Sequence, residues 1–334
     1  MPGVVNGLVL IDAPHSALNN AGLDAGTGTE NAVAVKVLRR GRSVYPYVSS
    51  QAWRYWWRNS LAAKMGWQMS PVEVNKKIAY TAADPCTYPD DDVFGYMRAE
   101  KGTTLTRLSP LKCSPLVSVT AQVPVQDFGV MARQEGDPVP YEHQFYATVL
   151  KGIFSLDLDM VGCFSTINKT GYKNLAEIKQ EWLEAGAVTE GKEIRMPADI
   201  RAARAAGAVD VLPYLAGGAK QTGHLTDVTP KFIVLLILDG GNHILMNVVN
   251  EREGQVYINL EALAEVLADY SRELRSPVYI GRRKGFMDGI DGELRTFAEG
   301  FEGAEIHYGT INEAVAGFTA RIAAYYSAQA GRGV

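Results

Sequence analysis

The sequence predicts an α+β fold, and three observations indicate that class. Apolar segments typical of buried strands are interrupted by helical segments and long insertions, without the regular strand–helix alternation of a doubly wound sheet. Turn signals such as Gly240-Gly241-Asn242 follow apolar strands and favour antiparallel hairpins. The chain has 334 residues, 47% of them hydrophobic and 21% charged, which is enough to bury one large core or two ordinary ones.

Local patterns predict the elements in order. Strands are predicted at 4–12, 32–38, 116–124, within 145–164, at 231–239 with a hairpin partner at 243–249, and at 277–280 and 304–308. Helices are predicted at 51–65, 174–206 with a break at 186–191, 259–274 and 313–326. The pair Ser49-Ser50 supplies an N-cap for the first helix. Residues 70–112 show no clear period, so we expect an insertion with short helices there.

The charge of the chain is unevenly distributed. The net charge is -4, but residues 31–72 contain seven basic side chains and no acidic one, which leaves 26 of the 33 basic residues elsewhere against all 37 acids. A local basic patch of this kind is the electrostatic footprint of a nucleic-acid-binding protein.

Other bulk features exclude several classes of protein. The three cysteines lack a CxxC pair, which argues against a disulfide framework and a cysteine zinc site. No apolar run is long enough for a membrane span, and the first residues lack the basic region of a secretory signal. We therefore expect a cytoplasmic protein with no membrane partner.

The segment 31–72 combines its cations with aromatic residues, including four of the five tryptophans. On a helical wheel, Gln51, Arg54 and Arg58 fall on one side of the first helix. The tryptophans Trp53, Trp56 and Trp57 fall on the other side. The alternative is an ordinary amphipathic helix with solvated arginines. The absence of carboxylates and the forked Arg donors favour phosphate binding, with the tryptophans packed in the core.

Two glycine-containing loops could add phosphate contacts. The first, 217–224, carries Lys220 and His224, and the second, 281–285, carries Arg282 and Arg283 after a strand. The alternative for each is a surface turn.

Signs of catalysis are weak. Residues 186–192 match the spacing of a phosphate-binding loop, but Glu193 replaces the magnesium-binding Ser or Thr. The acidic run Asp90-Asp91-Asp92 is expected to be solvated, and Asp157 and Asp159 are expected to share one face of a strand. The five histidines are scattered and lack metal-ligand spacing, so no catalytic residue, metal or cofactor is predicted.

A family resemblance adds to this interpretation. The run from Ser16 to Arg58, with its block SSQAWRYWWR after a lysine-bearing strand, resembles the N-terminal signature of CRISPR Cascade backbone subunits, a RAMP family. More narrowly, it resembles the DevR-type autoregulators of type I-B systems. The similarity continues in GIFSLDLDMVG at 152–162, in GGAKQTGHL at 217–225 and in the GRRKGF loop at 281–286.

The resemblance implies a single RRM-like (ferredoxin-like) palm over 1–334, with inserted helical fingers at about 66–112 and a thumb hairpin at about 213–230. Its partners would be crRNA, target DNA paired to the guide, other copies in a filament and other Cascade subunits. The RNA-binding residues implied are Asn19, Asn20, Lys36, Arg39, Ser49, Ser50, Gln51, Arg54, Arg58, Lys220, Gln221, Thr222, His224, Arg282 and Arg283.

The resemblance also leaves alternatives. Many relatives carry Asn-Arg where this chain has Asn19-Asn20. RNA-cleaving relatives of type III systems use an aspartate in the same loop, so a metal-dependent ribonuclease using Asp24 is the alternative function. A DNA-binding autoregulator is a third possibility, which no helix-turn-helix pattern supports.

Overall fold

The computed structural model describes residues 2–23, 32–75, 78–100 and 103–330. The strands are β1 (Gly3–Ser16), β2 (Asn20–Leu23), β3 (Ala32–Val35), β4 (Val37–Arg40), β5 (Ser43–Val48), β6 (Val72–Asn75), β7 (Ile78–Thr81), β8 (Tyr96–Glu100), β9 (Thr103–Arg107), β10 (Leu111–Cys113), β11 (Leu116–Ser118), β12 (Val125–Met131), β13 (Val139–Asp157), β14 (Cys163–Ser165), β15 (Val188–Glu190), β16 (Glu193–Arg195), β17 (Phe232–Asp239), β18 (Val249–Arg252), β19 (Gln255–Ile258), β20 (Val278–Arg282) and β21 (Ile306–Gly309). The α-helices are α1 (Ser50–Met65), α2 (Pro89–Phe94), α3 (Gln180–Glu184), α4 (Ala198–Asp210), α5 (Gln221–His224), α6 (Leu260–Asp269), α7 (Asp291–Gly300) and α8 (Ile311–Ala330), with 3₁₀ turns at Leu212–Tyr214 and Asp288–Ile290.

A central sheet organises the molecule, in the order β21-β20-β17-β1-β13-β11-β5-β4. Neighbouring strands in this order are antiparallel except for β20 and β21, which are parallel. Strand β1 lies at the centre, paired with β13 on one side and β17 on the other. In chain order, β1, α1, β11, β13, α4 and β17 give a βαββαβ path whose strands lie in the order β17-β1-β13-β11.

The sheet buries apolar side chains on both faces. Alternate residues of β1 such as Val5 and Val9 face a core that includes residues of α1, α4 and α8. The residues between them, such as Leu8 and Leu10, face a second core formed with α6 and α7. A strand buried on both faces reads as a continuous apolar run, as the sequence of β1 does.

Helix α1 is fastened by its tryptophans, as predicted. Trp53 and Trp57 are fully buried, with ring centroids 5.1 Å apart. The indole of Trp53 donates to the carbonyl of Ser114 at 2.9 Å, and that of Trp57 donates to the carbonyl of Ala208 at 2.7 Å. These two bonds connect the helix to the turn between β10 and β11 and to α4.

Most predicted elements are confirmed, and the coarse α+β class is confirmed with them. Three expectations are wrong. The segment 243–249 is not a hairpin partner of β17, because β17 lies between β1 and β20 and the chain turns away after Asp239. Within the segment 174–206, only residues 180–184 and 198–206 are helical, since β15 and β16 form a hairpin where the helix breaks. Strand 116–124 ends at Ser118.

The inserted segments also differ from expectation. Described residues between 66 and 112 form the hairpins β6–β7 and β8–β9 around one short helix, so this insertion is mainly β rather than helical. Residues 213–230 contain no strand, so the expected thumb hairpin is absent there. The long hairpin is instead β12–β13, which pairs from Val125 with Phe145 to Met131 with Val139. Across the described ranges, no helix is long and apolar enough to span a bilayer.

Candidate nucleic-acid interface

The N-terminus of α1 is held by a side chain from the connection between β1 and β2. The carboxamide oxygen of Asn19 accepts a hydrogen bond from the backbone N–H of Ser49 at 3.0 Å. Ser49 is the N-cap, and its hydroxyl accepts from the N–H of Ala52 at 3.3 Å. The carbonyl of Asn19 accepts from the N–H of Lys36 at 3.0 Å. One asparagine therefore brings β1, the β3–β4 junction and the helix start together.

This arrangement presents positive potential to one surface. The first turn of α1 contains no acidic residue, and the N–H groups of Ser50 and Gln51 precede the intrahelical hydrogen bonds. Lys36 is half-buried, while Arg39 and Gln51 are exposed. The hydroxyl of Ser50 donates to the amide oxygen of Gln51 at 3.3 Å. A helix N-terminus beside a lysine suits an anion, because the macrodipole and the free donors both favour negative charge.

The loop 216–226 packs beside the same surface. The N–H of Ala219 donates to the carbonyl of Leu18 at 2.9 Å, and a Cβ placed on Gly217 would lie 2.4 Å from Trp56 of α1. The amide nitrogen of Gln221 donates to the carbonyl of Gly217 and, at 3.2 Å, to that of Thr226. Gln221 therefore closes the loop on itself.

Closure leaves the cationic part of the loop in solvent. Lys220 is exposed and adopts a left-handed φ of 56°, and Thr222 is exposed beside it. These contacts bring the segment around Asn19, the backbone at Lys36, the helix α1 and the Lys220 loop next to one another. Asn20 lies next to them in β2, paired with Val35.

The structure uses two predicted arginines differently from the expectation. Arg54 donates to the carbonyl of Phe94 at 2.8 Å, to the hydroxyl of Ser109 at 3.0 Å and to the carbonyl of Leu111. Arg58 stacks on the ring of Phe94, and its Nε lies 3.6 Å from Asp90. The polar face of α1 therefore contacts the inserted segment, because carboxylate and carbonyl partners come from other elements. Arg54 and Arg58 thus contact the inserted segment, whereas the helical wheel predicted that they lie free on the polar face.

The prediction for Arg282 is corrected in the same way. Its side chain is only 7% exposed, and it donates to the hydroxyl of Tyr308 at 3.0 Å and to the carboxylates of Asp288 and, at 2.6 Å, Asp291. Hydrogen bonds from Tyr308 and then Arg282 hold the pKa of the Asp291 carboxyl well below its usual range. Arg282 thus fixes the turn after β20. Arg283 beside it is exposed.

The acidic residues that the sequence did not link to catalysis have structural roles. Asp90, Asp91 and Asp92 are buried residues of the short helix α2, not solvated. The carboxylate of Asp92 accepts from Arg107, from Arg204 at 2.8 Å and from the N–H of Gly162 at 2.9 Å. This buried charge network joins the inserted segment to α4.

Asp157 and Asp159 do not share a strand face. Strand β13 ends at Asp157, whose carboxylate accepts from the N–H groups of Asp159 and Met160 at 3.1 and 3.0 Å. Asp157 therefore closes the turn that follows the strand. Asp159 accepts from the hydroxyl of Tyr325 at 2.9 Å.

Three histidines that are far apart in the sequence come together. The ring of His224 lies 6.2 Å from that of His15 and 5.9 Å from that of His143, centroid to centroid. Spacing along the chain gives no signal of this cluster, because its members come from β1, β13 and α5. In the part of the chain that the structure describes, no group of three His, Cys, Asp or Glu residues is placed to hold a metal ion. Asp24 lies outside the described residues.

Comparison with known proteins identifies the family. The sequence profile of the CRISPR-associated negative auto-regulator DevR/Csa2 matches residues 13–253, which is most of the chain. The chain belongs to the DevR/Csa2 family. The match includes the start of α1, the inserted segment, the β12–β13 hairpin and the 216–226 loop. No curated protein matches the sequence.

Solved structures share the fold of this family member. A chain of a "CRISPR RNA-guided surveillance complex, pre-nicking" superposes with a TM-score of 0.59 at 11% identity, covering 96% of this chain and all of that one. A chain of a "CRISPR RNA-guided surveillance complex" gives 0.53 at 14% identity, covering 98% and 99%. At such identities the likeness establishes a common fold.

Proposed function

We propose that this DevR/Csa2 protein is the crRNA-binding backbone subunit of a type I Cascade complex. The observation that carries the proposal is the convergence of Asn19, Lys36, the acid-free start of α1 and the Lys220 loop. A phosphate at the helix start would meet backbone donors, and Lys36 and Arg39 would neutralise its neighbours. Such contacts read backbone geometry rather than sequence, which leaves recognition of target DNA to guide pairing.

The βαββαβ path forms the palm in this proposal. The strand order β17-β1-β13-β11, with α1 and α4 on one face, is the arrangement expected of an RRM-like domain. The inserted β-hairpins β6–β7 and β8–β9 then serve as fingers. We assign the thumb to the β12–β13 hairpin, since the 213–230 segment forms a closed loop on the palm.

The exposed apolar side chains of this hairpin support the proposed assembly. Val125, Phe128, Val130, Met131 and Val139 are each close to half exposed or more. We propose that neighbouring copies along the guide, or other Cascade subunits, cover these side chains in a cytoplasmic filament. The subunit itself is proposed to hold RNA without cleaving it.

Binding to RNA with a repeat-derived 5′ handle tests the proposal. A triple variant, Lys36→Ala/Arg39→Ala/Lys220→Ala, should bind more weakly and reduce the slope of log K against log salt by about 2, since each single-stranded phosphate contact contributes about 0.7. Lys64→Ala, at the exposed C-terminal end of α1, is the matched control. An unchanged slope in the triple variant would refute the assigned surface. Periodic, metal-dependent cleavage of target RNA would overturn the non-catalytic role.

A further inference from the structure

A row of aromatic rings lies at the base of the β12–β13 hairpin, against the 216–226 loop. The ring of His224 sits between His15 and His143, at the distances given above. Tyr141 stacks on His143 with centroids 6.1 Å apart, and Phe145 lies 5.9 Å from His224. His15 and Tyr141 are exposed, and the other three rings are partly exposed. Solvent and ligands can therefore reach the row along its length.

Groups that carry or can take up a positive charge surround the row. Lys220 comes from the same loop as His224 and is exposed. Asp127 of β12 lies 3.4 Å from Nε2 of His143, on the hairpin side. Within the described residues, Nδ1 of His143 is buried and has no hydrogen-bond partner. Burial, followed by the charges of His143, His15 and Lys220, lowers the pKa of His224, against the opposing effect of Asp127. The ring of His224 therefore lies among the charges of two other imidazoles and of the Lys220 ammonium, with the Asp127 carboxylate opposing them.

We infer that His15, His143 and His224 form, with Lys220, a phosphate subsite that takes up protons when an RNA backbone binds. The inference rests on the proposed function and deepens it, because the subsite continues the surface that runs from Asn19 to Lys220. An imidazolium N–H and an ammonium are strong donors to a phosphate oxygen. The phosphate removes the repulsion that opposes protonation of neighbouring imidazoles, and the neighbouring rings offer a face to the adjoining base.

Linkage gives the direction of the effect. An imidazole has an ordinary pKa of about 6.5, and the pKa of His224 in the free protein lies below it, whereas a bound anion raises it. Between these two values the complex holds more protons than the free protein, so RNA affinity rises as the pH falls through this window. Below the free value the affinity levels off. We expect binding to tighten about three- to tenfold from pH 8.0 to pH 6.0.

The experiment measures binding of a fluorescent uridine oligonucleotide to the full chain from pH 8.0 to pH 5.5 at constant ionic strength. Calorimetry in buffers of different ionisation enthalpy counts the protons taken up. The variant His15→Gln/His143→Gln/His224→Gln should bind with little pH dependence and little proton uptake. His307→Gln, at an exposed histidine on β21 paired with Glu305, is the control and should respond as the wild type does. If the triple variant fails to fold, His224→Gln alone should still reduce both responses.

The outcomes separate the inference from the proposed function. RNA binding that does not change with pH, or pH dependence equally large in the histidine variants, would overturn the subsite while leaving an RNA-binding protein. Loss of RNA binding by the wild type at every pH would remove the proposed function itself.

Discussion

Replacing Arg54 by alanine separates a structural role from an RNA-binding one. In the structure, its guanidinium donates three hydrogen bonds to the inserted segment, to Phe94, Ser109 and Leu111. It also lies 5.2 Å from the ring centroid of Phe94. The side chain therefore holds the N-terminal half of α1 against the inserted segment, and we expect Arg54→Ala to destabilise the fold.

The magnitude follows from these contacts. Truncation leaves three acceptors without their donor, and the net loss is about 1–3 kcal/mol, with roughly 0.5–1 kcal/mol more for the cation–π contact. A total of about 2–4 kcal/mol is expected. For 334 residues, an unfolding entropy of about 2.1 cal/mol/K per residue makes each kcal/mol worth about 1.4 °C. The melting temperature should fall by about 3–6 °C.

The assay pairs thermal unfolding with RNA binding measured as a function of salt. Arg54→Ala should lower the melting temperature and leave the salt slope unchanged. Arg39→Ala, at an exposed residue of the β4–β5 hairpin, should do the reverse and reduce the slope by about 0.7. An Arg54→Ala protein that melts normally yet loses salt dependence would refute the structural role and restore the phosphate contact suggested by the helical wheel.

Three other changes test features of the fold. Asp92→Ala leaves two buried guanidinium groups without their carboxylate and should lower the free energy of unfolding in urea by about 3–5 kcal/mol. Asp137→Ala, in the exposed hairpin turn, should lower it little, and equal losses in the two variants would contradict the network. Gly218 has a φ of 102°, and Gly218→Ala places a Cβ 2.5 Å from a leucine, so this variant should bind RNA more weakly in a titration. The added carbon of Gly223→Ala meets nothing, and equal binding by the two variants would contradict a positioned loop. Asp291→Asn should lower the urea midpoint at pH 7, and this difference should vanish as the pH falls below about 3.9 through the depressed folded pKa; a difference that persists in acid would contradict the charge pairing.

The parts of the structure that could be predicted from sequence are those set by local pattern. The indole stripe of α1 and its Ser49 cap follow from helical spacing and capping chemistry, and both are present. The apolar runs of β1 and β17 likewise identify the two central strands. The start of α1 stays a prediction for the candidate site, and its anchoring by Asn19 has no local sequence signal because Asn19 and Ser49 are 30 positions apart.

The missed features depend on contacts between distant segments. The carbonyls that engage Arg54 lie 40 and 57 residues away, and Asp92 meets Arg204 across 112 residues. A helical wheel assigns such side chains to solvent because it includes only one element. The histidine cluster was missed for the same reason. The β12–β13 hairpin escaped because its exposed apolar residues belong to a surface rather than to a core.

Strand β13 extends from the central sheet into the β12–β13 hairpin, which forms an arm. Its 19 residues extend roughly 60 Å, from the hairpin tip to the turn at Asp157. Its outer part, up to Phe145, pairs with β12, whereas from Tyr146 inward it pairs with β1. Removing residues in opposed pairs near Val130 and Pro140 would shorten the arm without shifting the register inside the sheet. The length of the arm and the stability of the central sheet can therefore vary independently, so the arm can change its reach while the core is preserved.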